Sequence, residues 1–179
     1  MIGSGLASGA FGQGIVNLEN AFGNGMVTIN GSPAPAGSYQ VALLWFNGGS
    51  FQQVGAVYQT ASGNGDGLGY FFGENVIIPN YSPTGTFMVE GWTGDFASYA
   101  AALTAGGTNV AGLTASFASP EGNLLNDPPD AAANLSGPNT QTGPGGWDGN
   151  LPLEAVPEPS TIVLGGLGAL GLWLFRRRQ

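Results

Sequence analysis

The sequence predicts an all-β protein, an antiparallel β-sandwich of the jelly-roll or immunoglobulin-like kind. Short runs of alternating apolar residues recur along the first two thirds of the chain, and glycine-rich turns separate them. The 33 glycines and 12 prolines suit tight turns between short strands better than they suit helices. Seven or so strands with this turn chemistry are typical of a sandwich.

The clearest strand covers residues 39–46, with the sequence YQVALLWF. Its odd-numbered residues alternate on one face, and the opposite face is also largely apolar. Because both of its faces are largely apolar, we expect this strand to be buried at the centre of its sheet, with a strand paired on each side. The other predicted strands are 14–19, 26–30, 54–60, 70–78 with a candidate bulge at Gly73, 86–92 and 113–117.

Turns and one helix complete the predicted body. Asparagine and glycine at 23–25 and 30–31 indicate tight hairpin turns. Residues 95–103 depart from the strand period, because their apolar residues repeat at helical spacing after a cap at Gly94 or Asp95. We expect one short helix of about two turns across an edge or end of the sandwich.

Four segments follow from these patterns. Residues 1–12 end in a small-x-small cleavage pattern and are interpreted as the remnant of a signal peptide. Residues 13–119 form the β-sandwich body. Residues 120–155 lose periodicity and hold six prolines among glycine, asparagine and aspartate, which predicts a flexible linker. Residues 156–179 form a distinct tail.

Composition excludes several functions. The chain has 11 acidic residues, three arginines and no histidine, lysine or cysteine, for a net charge of −8. Nucleic acid is excluded as a partner of the body, since no basic residue there can neutralise phosphate. Serine–histidine triads, histidine or thiolate zinc sites and Schiff bases are also excluded. We therefore expect a body that is not an enzyme and needs no cofactor.

Carboxylates are the only side chains left for acid–base chemistry. Glu90 lies among aromatic residues, where burial raises a carboxyl pKa as a general acid requires. A two-carboxylate sugar hydrolase is one hypothesis, and an outward-facing strand residue is the one we favour. The body carboxylates considered are Glu19, Asp66, Glu74, Glu90 and Asp95.

Two binding hypotheses concern the body. Asn64 and Asp66 resemble a fragment of a calcium loop, although a tight turn needs the same residues and the rest of the ligand set is missing, so we favour the turn. An extracellular carbohydrate-binding module is the alternative function of the body, with exposed aromatic rings stacking on sugars. The candidate stacking residues are Tyr58, Tyr81, Trp92 and Trp147.

The tail has the features of a weak membrane anchor. Residues 161–175 are apolar and glycine-rich, and the only basic residues of the chain, Arg176, Arg177 and Arg178, follow directly. An apolar run ending in arginines predicts a transmembrane helix with its positive end in the cytoplasm. A helix of 15 residues is about 23 Å long, short of the roughly 30 Å of a bilayer core.

A proline-rich triplet precedes this anchor. Pro157 and Pro159 hold the backbone around Glu158 extended, just outside the membrane, where a protease can bind it at little ordering cost. The order of triplet, glycine-rich apolar helix and arginine cluster resembles the PEP-CTERM sorting signal.

That resemblance implies a location and a processing enzyme. Proteins with this signal are substrates of exosortase, a membrane protease of Gram-negative bacteria that make extracellular polysaccharide. They are anchored in the inner membrane before processing and then reach the cell surface or the biofilm matrix, where extracellular polysaccharide is a further expected partner. The resemblance covers residues 156–179 and implies no activity for the body.

Overall fold

The computed structural model describes residues 12–137 and 145–156, and the regular secondary structure of this part of the chain is almost entirely β, as predicted. The predicted signal-peptide remnant except Gly12, the predicted transmembrane helix at 161–175, the triplet and the arginines lie outside the described residues. Among the residues that are described, no helix is long and apolar enough to cross a membrane.

Twelve strands, one 3-10 turn and one helix make up the described part. The 3-10 turn is Ser62–Asn64 and the helix, α1, is Tyr99–Ala105. The strands are β1 Gly14–Glu19, β2 Val27–Ile29, β3 Ser32–Pro33, β4 Gln40–Phe46, β5 Phe51–Gln59, β6 Phe72–Ile78, β7 Thr84–Trp92, β8 Val110–Leu113, β9 Phe117–Pro120, β10 Gly122–Asn123, β11 Ala133–Asn134 and β12 Leu151–Ala155.

The strands form two sheets. In the smaller sheet β6 pairs with β1, and β1 also pairs with β10 and then β11. The larger sheet has the order β3-β2-β12-β8-β7-β4-β5, with β9 also paired to β7. The β1–β11 and β12–β2 pairings are parallel, so the sheets are mixed and not purely antiparallel as predicted. The finer jelly-roll or immunoglobulin-like assignment stays a prediction.

The hydrophobic core lies between the two sheets. Val16 and Leu18 of the smaller sheet belong to the same buried cluster as Val41 and Leu43 of the larger one. The predicted alternation along β4 is confirmed, since its odd-numbered residues enter this cluster. β4 also pairs on both sides, with β5 and β7.

Local signals in the sequence correctly predicted one turn and one β-bulge. Asn30 and Gly31 have φ of 48° and 80° and join β2 to β3, as the hairpin prediction requires. The register of β1 against β6 shifts where Gly73 lies, and a side chain at Gly73 would overlap the carbonyl of Leu18. The predicted bulge at Gly73 is therefore confirmed.

The helix begins four residues later than predicted. Ser98 caps α1, its side chain accepting a hydrogen bond from the amide of Ala101 at 3.2 Å. Gly94 and Phe96 instead form a turn, and the Phe96 carbonyl accepts a hydrogen bond from the Trp92 indole at 3.0 Å. Tertiary bonding to Trp92 thus delays the start of the helix.

The prediction of one strand at 113–117 is wrong. β8 ends at Leu113 and β9 begins at Phe117. Between them Thr114 bonds to Val89, its hydroxyl accepting from the Val89 amide and its own amide donating to the Val89 carbonyl. This bonding ends β8, and the chain then pairs with another part of β7.

The prediction of a flexible linker at 120–155 is also wrong over its described residues. β10 and β11 join the smaller sheet, and β12 lies between β2 and β8 inside the larger one. Leu135, Leu151 and Leu153 are fully buried. β10 and β11 have two residues each, too few to show a period in the sequence, and Pro152 interrupts the pattern of β12, so the prolines and glycines dominated the prediction.

Candidate functional site

The tail leaves the body without a spacer. Ala155, the last residue of β12, pairs with Val110, and the amide of Val156 donates to the carbonyl of Asn109 at 3.2 Å. The predicted recognition triplet begins at the next residue, Pro157. A strand within the larger sheet therefore fixes the point at which the tail starts.

Three of the four predicted sugar-stacking aromatics are core residues. Trp92 is fully buried, and Tyr58 and Trp147 are 9% and 5% exposed. Each directs its polar atom to a protein acceptor: the Tyr58 hydroxyl to Asp66 and the Trp147 indole to the carbonyl of Asn150 at 3.1 Å. Only Tyr81 is partly exposed. The predicted face of exposed rings is therefore not formed by these residues.

One groove on the body has aromatic and polar walls. It has a volume of about 470 Å³ and is bounded by the β8–β9 connection and the segment that precedes β12. The rings of Phe117 and Trp147 stack beside it, with centroids 6.1 Å apart and planes 13° apart. Asp148 and Asn150 supply polar atoms, and Asp148 is its only acidic lining residue.

The structure favours the turn role over the calcium hypothesis for Asn64 and Asp66. Asp66 is 6% exposed, and both of its oxygens already accept hydrogen bonds from the protein. One oxygen accepts from the amide of Phe72 and the other from the amide of Ala61, each at 2.8 Å. The Tyr58 hydroxyl lies 3.2 Å from both. The carboxylate therefore closes the turn between β5 and β6, the turn role favoured above.

Glu90 is not the outward-facing residue that we favoured. It is 8% exposed and lies on the face of β7 that α1 covers, and burial raises its pKa. Its pairing partners along the sheet, Ala42 and Leu113, bring no second carboxylate. A hydrolase of the two-carboxylate type needs a pair facing one another across a cleft. In the described part of the chain no group of three or more acidic side chains forms a metal site either.

Glu19 is a fully buried carboxyl surrounded by donors. Its two oxygens accept from the amide and hydroxyl of Ser136, at 2.9 to 3.1 Å, and from the amide of Phe22 at 3.1 Å. Burial raises its pKa, against these hydrogen bonds, which lower it. The interaction ties β1 to the segment after β11, so Glu19 is structural.

Glu121 is the residue that the sequence analysis missed. It lies 2% exposed between β9 and β10, and one oxygen accepts from the amide of Ser82 at 3.1 Å. The other oxygen is buried and has no hydrogen-bond partner. Burial raises the pKa of Glu121 to about 7, the largest shift of any carboxyl described. Nothing local distinguishes this glutamate, which lies beside a proline in the supposed linker.

Comparison with known proteins gives one match. No curated protein and no solved structure is significantly similar to the chain. A family model of the PEP-CTERM protein-sorting motif matches residues 155–178, a range that begins at the last residue of β12. The chain therefore carries a C-terminal PEP-CTERM sorting motif, joined directly to an all-β body.

Proposed function

We propose that this protein is an exported exosortase substrate whose tail holds it in the inner membrane until the chain is cut near Glu158. The body is then released to the cell surface or the extracellular polysaccharide matrix. The observation that carries this proposal is the sorting motif over residues 155–178, with its arginine cluster at the very end. Arginines at the end of an apolar segment favour retention of that end in the cytoplasm.

The junction between body and tail supports the same function. Val156 is bonded to the body, and Pro157 and Pro159 restrict the backbone that follows. A protease therefore meets an extended segment at a fixed distance from a folded domain. Little conformational entropy is lost when such a segment binds.

The body itself acts without catalysis in this proposal. Four of its carboxyls, those of Glu19, Asp66, Glu90 and Glu121, are buried, and its groove contains a single acidic residue, Asp148. The absence of histidine, lysine and cysteine removes imidazole, amine and thiol groups, which are the common bases and activating partners of nucleophiles.

The test follows an epitope-tagged protein, with a complete signal peptide, in hosts with and without exosortase. We expect the wild type to lose the mass of its tail and to reach the surface only when exosortase is present. Glu158→Ala should block processing. Glu154→Ala is the matched control, because this exposed glutamate lies four residues earlier, on β12 and within the body. Retention of the tail in both hosts would overturn the proposal.

Sugar binding is a second candidate function, and the groove beside Trp147 is the observation that favours it. Stacked aromatic rings next to amide and carboxylate groups are the elements of a sugar site. Ser116, an exposed residue of the groove, offers the test. Ser116→Trp should fill the groove and abolish retardation in gels that contain a neutral polysaccharide, whereas Ser50→Trp, on the β4–β5 connection, should not. Equal migration of the wild type with and without polysaccharide would reject this candidate.

A further inference from the structure

The solvent-facing side of α1 carries no charge. Leu103 is 39% exposed, and the Thr104 hydroxyl is bonded to the carbonyl of Ala100 at 2.9 Å, so it offers little polarity. A surface helix normally presents charged or polar residues to water. The exposed residues of this helix, which we call the α1 face, are Ala100, Ala101, Leu103, Thr104 and Ala105.

The uncharged surface extends beyond the helix. Residues 96–120 contain no acidic or basic residue, in a chain with 11 acidic residues. Three exposed carboxylates border these residues, Asp95 and Glu154 near α1 and Asp148 beside the β8–β9 connection, and Glu90 lies buried beneath the helix. The α1 face is therefore a neutral area on a strongly acidic body.

The α1 face lies at the end of the body from which the tail leaves. Ala102 of α1 packs on Trp92, and Trp92 pairs with Ala111 of β8. Ala111 in turn pairs with Glu154 of β12, two residues before Val156. Adjacent strands are about 4.8 Å apart, so about 10 Å of sheet separates the strand under the helix from the strand that carries the tail.

The length of the tail keeps this end of the body near the membrane. Four residues, 157–160, separate Val156 from the predicted transmembrane segment at 161–175. Even fully extended, five steps of the chain span at most about 18 Å. The headgroup layer occupies about 5 to 7 Å of that distance. The end of the body with Val156 therefore lies within about 10 to 13 Å of the headgroups while the protein is anchored.

We propose that the α1 face is a membrane-contact surface, which rests on the lipid headgroups while the protein is anchored and holds the sorting triplet at a fixed height above the bilayer. This inference rests on the anchoring step of the proposed function. An acidic surface in the same place would be repelled by anionic lipids, whereas a neutral, partly apolar face is not. The β4–β5 connection at residues 47–50, at the opposite end of the larger sheet, faces away from the membrane.

The absence of cysteine makes the test direct, because any introduced cysteine is the only labelling site. Full-length protein is made without exosortase, so that the tail stays attached, and reconstituted in nanodiscs at one chain per disc. Leu103→Cys reports on the α1 face and Ser50→Cys on the far end of the same sheet. Each carries an environment-sensitive fluorophore, and the discs contain lipids with a nitroxide quencher in the headgroup.

We expect several-fold stronger quenching and a blue-shifted emission for the probe at 103, because contact with the interface places it within about 10 Å of the acyl boundary. A second chain carries the probe at Thr104→Cys. In that chain, Leu103→Asp should reduce the quenching of the probe to the level seen for the probe at position 50. Equal quenching at 103 and 50 in chains that copurify with the discs would overturn the inference. Failure to copurify with the discs would instead overturn the anchoring step. A blue shift of the emission seen only with two chains per disc would show that a second copy of the chain covers the α1 face, and it would also reject the proposal.

Discussion

Two buried glutamates lie at opposite ends of β1 in contrasting surroundings: Glu19 is its last residue, and the carboxyl of Glu121 lies against Gly14, its first. Both oxygens of Glu19 accept hydrogen bonds, from Ser136 and Phe22. Glu121 has one partner, the amide of Ser82, and one buried oxygen without any. Both residues connect the segment after β9 to the rest of the body. The main difference between them is the number of hydrogen-bond donors that reach each carboxyl.

The difference teaches how far hydrogen bonds oppose burial: burial raises the pKa of both glutamates, and only at Glu19 do donors to both oxygens act against that rise. Donors that converge on a carboxylate stabilise its charge, whereas burial without donors stabilises the neutral acid. A side chain at Gly14 or Gly85 would overlap the carboxyl of Glu121, so these two glycines provide its space. The protein thus keeps one glutamate as a hydrogen-bond acceptor and encloses another in a site that resists its ionisation.

The largest effect should come from Glu19→Gln. The amide group of glutamine would face a backbone donor of Phe22 or Ser136, leaving a buried donor unsatisfied, and we expect the free energy of unfolding at pH 7 to fall by about 2 to 3 kcal/mol. Urea denaturation of the exported body measures this. An unchanged or higher midpoint would mean that the cost of burying the charge exceeds the value of these hydrogen bonds.

Glu121→Gln, unlike Glu19→Gln, should raise the free energy of unfolding at high pH. The pKa of Glu121 is about 7 in the folded protein against 4.5 for the free group. The contribution of Glu121 to the stability of the folded protein is therefore fully present below about pH 4.5. It is lost as the pH rises to about 7 and slightly beyond.

Glu121→Gln removes this loss, because glutamine stays neutral and can still accept from Ser82. We expect the variant to be on the order of 2 kcal/mol more stable than the wild type at pH 8, after allowance for relaxation of the site, and nearly equal to it at pH 4.5. Thermal melting across this pH range measures the difference. A constant difference at all pH values would contradict the assignment of the titration to Glu121.

A smaller effect should come from filling the space beside Glu121. Gly14→Ala places a methyl group against this carboxyl, and we expect a loss of about 1 kcal/mol because only the end of a side chain has to move. In a Glu121→Ala background the loss should vanish. Gly63→Ala is the control, since a methyl group there meets no atom within 4 Å. Equal losses in both backgrounds would show that Gly14 is needed for another reason.

The smallest effect concerns calcium. Every oxygen of Asp66 is occupied by donors from its own turn, so the ion has no free ligand there. We expect millimolar calcium to shift the melting temperature by no more than about 1 °C, since a bound ion would stabilise the folded state by mass action. A shift of several degrees that Asp66→Asn abolishes would restore the calcium hypothesis.

Prediction from sequence worked where a signal is local and repeated. The alternation along β4, the turn at Asn30 and the bulge at Gly73 each depend on residues next to one another in the chain. It failed for β10 and β11, which are too short to show a period, and for β12, which contains Pro152. All three are strands because distant strands supply their hydrogen bonds.

The candidate sites divide in the same way. Three of the four aromatic residues chosen as exposed proved to be buried, because distant parts of the chain cover them; Trp92, for example, packs against Ala102 of α1. Glu121 was overlooked for the same reason: its burial depends on Gly14 and Gly85, which are far from it in the chain.

The sequence by itself determined the sorting motif, since a triplet, an apolar run and an arginine cluster form a linear pattern that needs no contact between distant residues. It also determined the all-β class, through local alternation and turn chemistry. Only the tertiary structure decided that β12 carries the tail directly, that α1 lies beside that exit, and that Glu121 is buried with an unbonded oxygen. These features depend on contacts between residues far apart in the chain, and no local pattern encodes such contacts.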